Sequence, residues 1–261
     1  MIQQTTMWVL ASSWWAAAAD FHTKAVSLDG STEKMANTTL QSIWIANAWT
    51  VWAWVNVSSL ATAWHLVNIH DSDSTNANQI QMTTLSASWD IQFRVYDSAA
   101  SQMKRYFSSS TISVWTIAFV LFTWDWTNMK LYFDWVEDTT PTKNTDNSGT
   151  MTDSNRPVWV WGRAQDAANP FPWTISAVYV WNVALDQANI TELTDSGNWY
   201  KRDYRNAVWN YDQQANLKHQ WALWKDDTDA SAIWTDYVSS WWINIWTNAS
   251  NISSADVVTF T

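Results

Sequence analysis

Between residue 21 and about residue 193 the chain is a succession of short apolar alternations broken by polar, turn-forming clusters. The candidate strands are Lys24–Leu28, Trp49–Val57, His65–Ile69, Gln79–Thr83, Asp90–Val95, Gln102–Phe107, Thr116–Thr123, Lys130–Phe133, Val158–Val160 and Thr174–Trp181. They recur roughly every 10 residues and are rich in Val, Ile, Tyr, Trp and Phe, the pattern of an antiparallel sandwich or barrel and not of βαβ units. One segment has helical spacing, Ala184 to Leu193, with Leu185, Ile190 and Leu193 apolar and Gly197 beyond as a stop. Asp71 to Asn78 and Thr139 to Arg156 are polar and turn-rich and are predicted as loops. After Gly197 the composition shifts, first to Tyr200, Tyr204, Tyr211 and Trp221, then to an Asp/Ser/Thr/Asn-rich tail. The expected organisation is an N-terminal arm over 1–20, a β-sandwich over 21–196, and an extension over 197–261 that packs on the sandwich or on a partner.

Composition narrows the function classes. With 261 residues the chain can bury a substantial core. Its formal net charge of -10, with 14 Lys+Arg, offers no basic surface for phosphates, which argues against nucleic acid or an anionic membrane as partner. There is no cysteine, hence no disulfide framework, thiolate nucleophile or Cys-based zinc site. No apolar run approaches the roughly 18 residues of a membrane helix. The stretch WVLASSWWAAAA near the start ends in small residues as a signal peptide does, but Lys24 is the first positive side chain, so a basic n-region is lacking. A flexible or partner-docked arm is the expectation there.

One count changes the picture: Trp 25 against Gly 4. An all-β chain needs glycine for positive-φ turns, and average usage is about 7%. Many tryptophans stand where a turn wants glycine, as in Asp125-Trp126-Thr127-Asn128, Phe133-Asp134-Trp135-Val136, Ser88-Trp89-Asp90, Pro172-Trp173-Thr174 and Ser240-Trp241-Trp242. The pattern predicts glycine at positions 8, 14, 15, 44, 64, 89, 115, 126, 135, 161, 173, 209, 224, 234, 241, 242 and 246, which brings the share of glycine to about 8%. A codon read as glycine by the source, such as a reassigned UGA, would produce this pattern when translated as tryptophan. A genuinely tryptophan-rich chain is the alternative.

With glycine restored, the hairpin WDWTNMKLYFDWVEDT becomes WDGTNMKLYFDGVEDT, two Asp-Gly turns framing a strand. This resembles the laminin-G-like, concanavalin A-like lectin/glucanase superfamily, whose members carry W-D-G-t … l-Y-v-D-G here. Val158 to Leu193 is similar to that family's closing segment, with a G-G-r strand, an f-x-G-x-i strand and a short helical turn. Ala25 to Gly30 resembles the opening v-x-f-D-G strand, and Trp49 to Val55 resembles f-T-i-x-a-W-v. The four blocks stand in family order over about 170 residues. The resemblance implies an all-β, two-sheet antiparallel jelly-roll sandwich with an N-terminal arm and a C-terminal extension.

The family includes glucanases, which place two Glu on one strand around an Asp, and a glycosidase needs two carboxylates about 5 to 9.5 Å apart. This chain has only Glu33, Glu137 and Glu192, in three separate segments, so no enzyme activity and no catalytic residue is expected. Asp71 and Asp73 read as a solvated turn. His65 and His70 fall on opposite faces of a strand, and His22 and His219 are isolated. The resemblance implies a calcium site using Asp29 with groups near the start of the closing strand, although Ala177 stands where relatives often have Asp; Asp29 as a simple turn residue is the other reading. Trp159, Trp181, Trp199, Tyr106 and Tyr132 are candidates for a sugar-stacking platform, with a core role the stronger reading for Trp54, Trp124 and Trp181. Sequons begin at Asn37, Asn56, Asn189, Asn248 and Asn251, as composition alone would give.

The resulting expectation is a non-catalytic binding or structural module that recognises a surface glycan or docks on an assembly, homo-oligomers included. The C-terminal block resembles segments that follow such domains in bacteriophage structural proteins, which points to a decoration or tail-fibre-type protein of a virion. A secreted or cell-surface bacterial adhesin is the alternative setting, and a glycoside hydrolase the third.

Overall fold

The computed structural model describes residues 24–27, 35–36, 48–57, 65–69, 77–84, 90–152, 158–160, 173–194, 211–222 and 257–259. The 1–20 arm lies outside them. Among the described residues fifteen strands are present: β1 (Lys24–Val26), β2 (Met35–Ala36), β3 (Trp49–Val57), β4 (His65–Ile69), β5 (Ile80–Thr84), β6 (Asp90–Tyr96), β7 (Gln102–Thr111), β8 (Ile117–Trp124), β9 (Met129–Phe133), β10 (Val136–Asp138), β11 (Thr142–Asp146), β12 (Val158–Val160), β13 (Trp173–Trp181), β14 (Leu217–Ala222) and β15 (Val257–Thr259). They form two sheets, ordered β10-β9-β8-β3-β13-β1-β15, with β14 also on β13, and β11-β7-β6-β5-β4-β12-β2. Every described strand pair is antiparallel. The expected two-sheet antiparallel sandwich is therefore present.

Alternation explains the inner layer. Trp49, Val51, Ala53, Val55 and Val57 of β3 face Ile80, Met82, Phe93 and Val95 of the opposite sheet in one core. Thr50, Trp52 and Trp54 of the same strand do not face water either, and Asn56 is partly buried. Trp52 and Trp54 join Phe119, Leu121, Tyr132, Tyr179 and Trp181 in a second buried layer on the back of the first sheet. Trp52 meets Phe119 edge-on at 4.4 Å and stacks on Trp181 at 5.8 Å.

The helix α1 (Gln187–Thr194) closes this back layer with Ile190 and Leu193, and Leu185 lies just ahead of it. Asp186 caps it by accepting from the Asn189 N–H at 2.8 Å. Tyr211 and Leu217 complete the cover, and the Trp181 indole donates to the Tyr211 hydroxyl at 3.0 Å. A sheet packed on both faces needs strands without a polar side, which is why β3 reads WTVWAWVNV.

Three differences from the sequence reading have physical causes. Thr142–Asp146, predicted as part of a loop, forms the edge strand β11 on β7, because an exposed edge needs backbone pairing and not apolar side chains. Trp173, placed in a turn, opens β13 opposite Val57. Trp181, Tyr106 and Tyr132, offered as a stacking platform, are at most 1% exposed and belong to the two cores. Trp199 and the side chain of Trp159 lie outside the described residues.

Candidate functional site

The described carboxylates are largely occupied by the backbone of turns. Asp97 accepts from the Ala99 and Ser101 N–H groups at 2.9 and 2.8 Å. Asp125 accepts from Thr127 and Asn128 at 3.1 and 2.7 Å, and Asp134 from Phe119 at 3.0 Å. Burial raises the Asp125 carboxyl's pKa, but the hydrogen bonds from Asn128 and Thr127 outweigh it and hold the group below the usual carboxylate range. At the helix cap, hydrogen bonds from the Asn189 N–H and side-chain amide lower the Asp186 carboxyl in the same way.

Glu137 and Asp138 are adjacent in β10, so their side chains leave opposite sides of the strand. Asp138 is held by the Ser109 N–H and hydroxyl, both at 2.6 Å, and by the Thr140 N–H at 3.1 Å. Glu137 pairs with Lys130 at 3.1 Å. Glu192 sits on α1 and Glu33 lies outside the described residues. Glu137 and Asp138 both border one cleft, but they leave β10 on opposite sides and each is already held by its own partners. Asp29, the residue implied for calcium, lies outside the described residues, as do His22, His70, Asp71 and Asp73. Among the described residues no group of three His, Asp or Glu converges on a metal position.

What the described surface does offer is a cleft of about 230 Å³ where the β8–β9 loop, the β9–β10 hairpin and the start of β11 meet. Its polar walls are Asn128, Lys130, Glu137, Asp138, Thr139 and Lys143. The ammonium groups remain open to solvent, with the Lys130 and Lys143 side chains 48% and 51% exposed. Lys143 lies over the Tyr106 ring at 5.0 Å and within 4.0 Å of Asp146. Burial raises the Asp146 carboxyl's pKa, but the hydrogen bond from the buried Lys104, together with Tyr106, carries it below the usual range. Amide, ammonium and hydroxyl donors thus alternate with carboxylate acceptors. In the sequence these residues are scattered over three short strands and the turns beside them, and only the strand register brings them together.

A buried polar layer lies on the side of the other sheet turned away from the core. Asn68, Gln81 and Arg94 are laterally paired there, as are Thr83 and Gln92. Asn68, Gln81 and Gln92 are at most 1% exposed. The Gln92 amide and the Gln81 carbonyl oxygen have no hydrogen-bond partner among the described residues.

Two antiparallel sheets in this order, with a short helix against the back of one of them, define a concanavalin A-like jelly-roll sandwich. A family model described as the concanavalin A-like lectin/glucanases superfamily matches residues 29–191, and the chain belongs to that family. Among solved structures it is similar to the native heptameric SAP-like pentraxin from Limulus polyphemus, at 13% identity and TM-score 0.53 over 67% of this chain and 83% of that one. It is also similar to the CBM40 of the Ruminococcus gnavus IT-sialidase bound to α2,3 sialyllactose, at 10% identity and TM-score 0.51, covering 65% of this chain and 95% of that one. A putative carbohydrate binding protein from Bacteroides ovatus matches at 14% identity and TM-score 0.50, over 77% of this chain and 52% of that one. These identities establish a shared fold. Comparison with curated protein sequences gave no match. No described helix is long and apolar enough to cross a membrane.

Proposed function

We propose that this chain is a non-catalytic glycan-binding module whose ligand sits in the cleft between the β9–β10 hairpin and β11. The observation that carries the reading is the make-up of that cleft. It is open, about 230 Å³, and lined by donors and acceptors in alternation, which suits the hydroxyl groups of a sugar residue. The family fold supports it, as do two structural neighbours, a putative carbohydrate binding protein and a CBM40 bound to α2,3 sialyllactose. Against hydrolysis, Glu137 and Asp138 diverge from one strand, and Asp138 is fixed by three hydrogen bonds.

The test is a glycan array followed by titration of the retained sugar into Asn128→Ala and Lys143→Ala variants, with soluble β-glucans assayed for hydrolysis in parallel. Each variant is expected to keep its fold and weaken binding about tenfold, the equivalent of one or two hydrogen bonds to a charged or amide group. Binding that ignores both variants would move the site elsewhere, and released reducing sugar would make the protein an enzyme. The setting we propose is the surface of a virion, as a decoration or tail-fibre-type protein, on the strength of the C-terminal sequence block. Finding capsid and tail genes beside this one would support that setting, and finding a neighbourhood of secretion or cell-wall genes would favour the adhesin.

A further inference from the structure

We infer that positions 115, 126 and 135 are glycine in the protein its source makes, because the codon used there is read by that source as glycine. Eight tryptophans have described side chains, and they fall into two groups without overlap. Trp49, Trp52, Trp54, Trp124 and Trp181 lie in strands and are 0–2% exposed. Trp115, Trp126 and Trp135 lie in turns with φ of 64°, 76° and 61°. Trp115 and Trp126 are among the most exposed large apolar side chains described, at 67% and 51%.

Left-handed backbone presses Cβ against the neighbouring carbonyl, a contact glycine lacks. The other described residues with positive φ are Asn78, Asp134 and Ala100. Asn and Asp visit that region through local side-chain hydrogen bonds, and Ala100 bears the same Cβ contact in a turn closed by its N–H on the Asp97 carbonyl, but a bulky aromatic there is a genuine outlier. The turn types point the same way. Phe133 pairs with Val136, so Asp134-Trp135 is a two-residue hairpin loop with both φ values positive, the geometry for which Asp-Gly is a preferred pair. The Trp126 turn is built by Asp125, whose carboxylate takes the Thr127 and Asn128 N–H groups. At Trp115 the backbone N–H donates to the Val57 carbonyl at 2.6 Å, which pins the turn to the end of β3.

Scattered mutation would not sort the tryptophans with described side chains so cleanly between left-handed turns and buried strand positions. A codon assignment does so at once: one tryptophan codon, UGG, at the buried sites, and UGA, which different genetic codes read as stop, tryptophan or glycine, at the turns. Trp173 opens β13 in extended backbone that any residue adopts, so backbone conformation does not extend the inference to it.

Three readouts test this. The gene should carry UGA at 115, 126 and 135 and UGG at 49, 52, 54, 124 and 181. Peptides of the natural protein spanning the three turns should each be lighter by the difference between an indolylmethyl group and hydrogen. A recombinant chain with Trp115→Gly, Trp126→Gly and Trp135→Gly should melt about 10 °C above the all-tryptophan chain. The control Trp124→Gly should melt lower or fail to fold. UGG codons in the turns, tryptophan masses there, or a triple variant that melts below the all-tryptophan chain would overturn the inference.

Discussion

Gly149 shows what a single position demands when the reason is packing. A Cβ there would stand 2.4 Å from the Met103 sulfur and 2.6 Å from its Cγ, and Met103 is buried. Gly149→Ala is therefore expected to cost about 1–3 kcal/mol by overpacking, and the added Met103→Ala to relieve part of that, as a double-mutant cycle in chemical denaturation would show. Failure to find coupling between the two would mean that the loop moves away freely. Charge at single residues sets the acid limb. Asp125, Asp146 and Asp186 have folded-state pKa values below the ordinary carboxylate value. As pH falls, the unfolded chain protonates these groups first, so their contribution is complete above about pH 4 and is lost as pH drops through the folded values. Melting temperature should fall below about pH 4, and Asp186→Asn should make that fall shallower.

At the scale of elements, the back layer depends on a contact outside the helix that covers it. Tyr211→Phe leaves the Trp181 indole N–H buried without its acceptor, and a loss of about 1–3 kcal/mol in unfolding free energy is expected. The outer face of the other sheet should respond in the opposite sense. Gln92 carries a buried amide with no described partner, so Gln92→Leu should be neutral or stabilising by denaturant titration. A large loss there would place a ligand or ordered water on that amide. Elements were legible where burial is one-sided or continuous: β3, β4, β6 and the helix follow from Trp49–Val57, His65–Ile69, Asp90–Val95 and the Leu185, Ile190, Leu193 spacing. β11 was not, because Thr142–Asp146 contributes its backbone to an edge and shows no apolar period. The cleft was hidden for a related reason, since Asn128, Glu137 and Lys143 are ordinary turn and surface residues until the register of β9, β10 and β11 gathers them.

For the molecule as a whole, the first sheet is built from both ends of the chain: β14 pairs with β13, and β15 pairs with β1. A chain cut after residue 194 would lose β14, β15, Tyr211 and Leu217, uncovering part of the second apolar layer. It should bind a hydrophobic dye and unfold at lower denaturant than the full chain, and an unchanged midpoint would show that the sandwich stands without them. That same aromatic layer also sets how the protein handles light. Trp52, Trp54 and Trp181 lie within about 6 Å of one another or of Tyr179, shielded by the helix. With glycine in the three turns, the described indoles would emit from a dry, rigid environment, at short wavelength and beyond the reach of aqueous quenchers. Their stacked transitions would couple into a strong near-ultraviolet dichroism, an optical signature of this one sheet that vanishes when α1 lifts away.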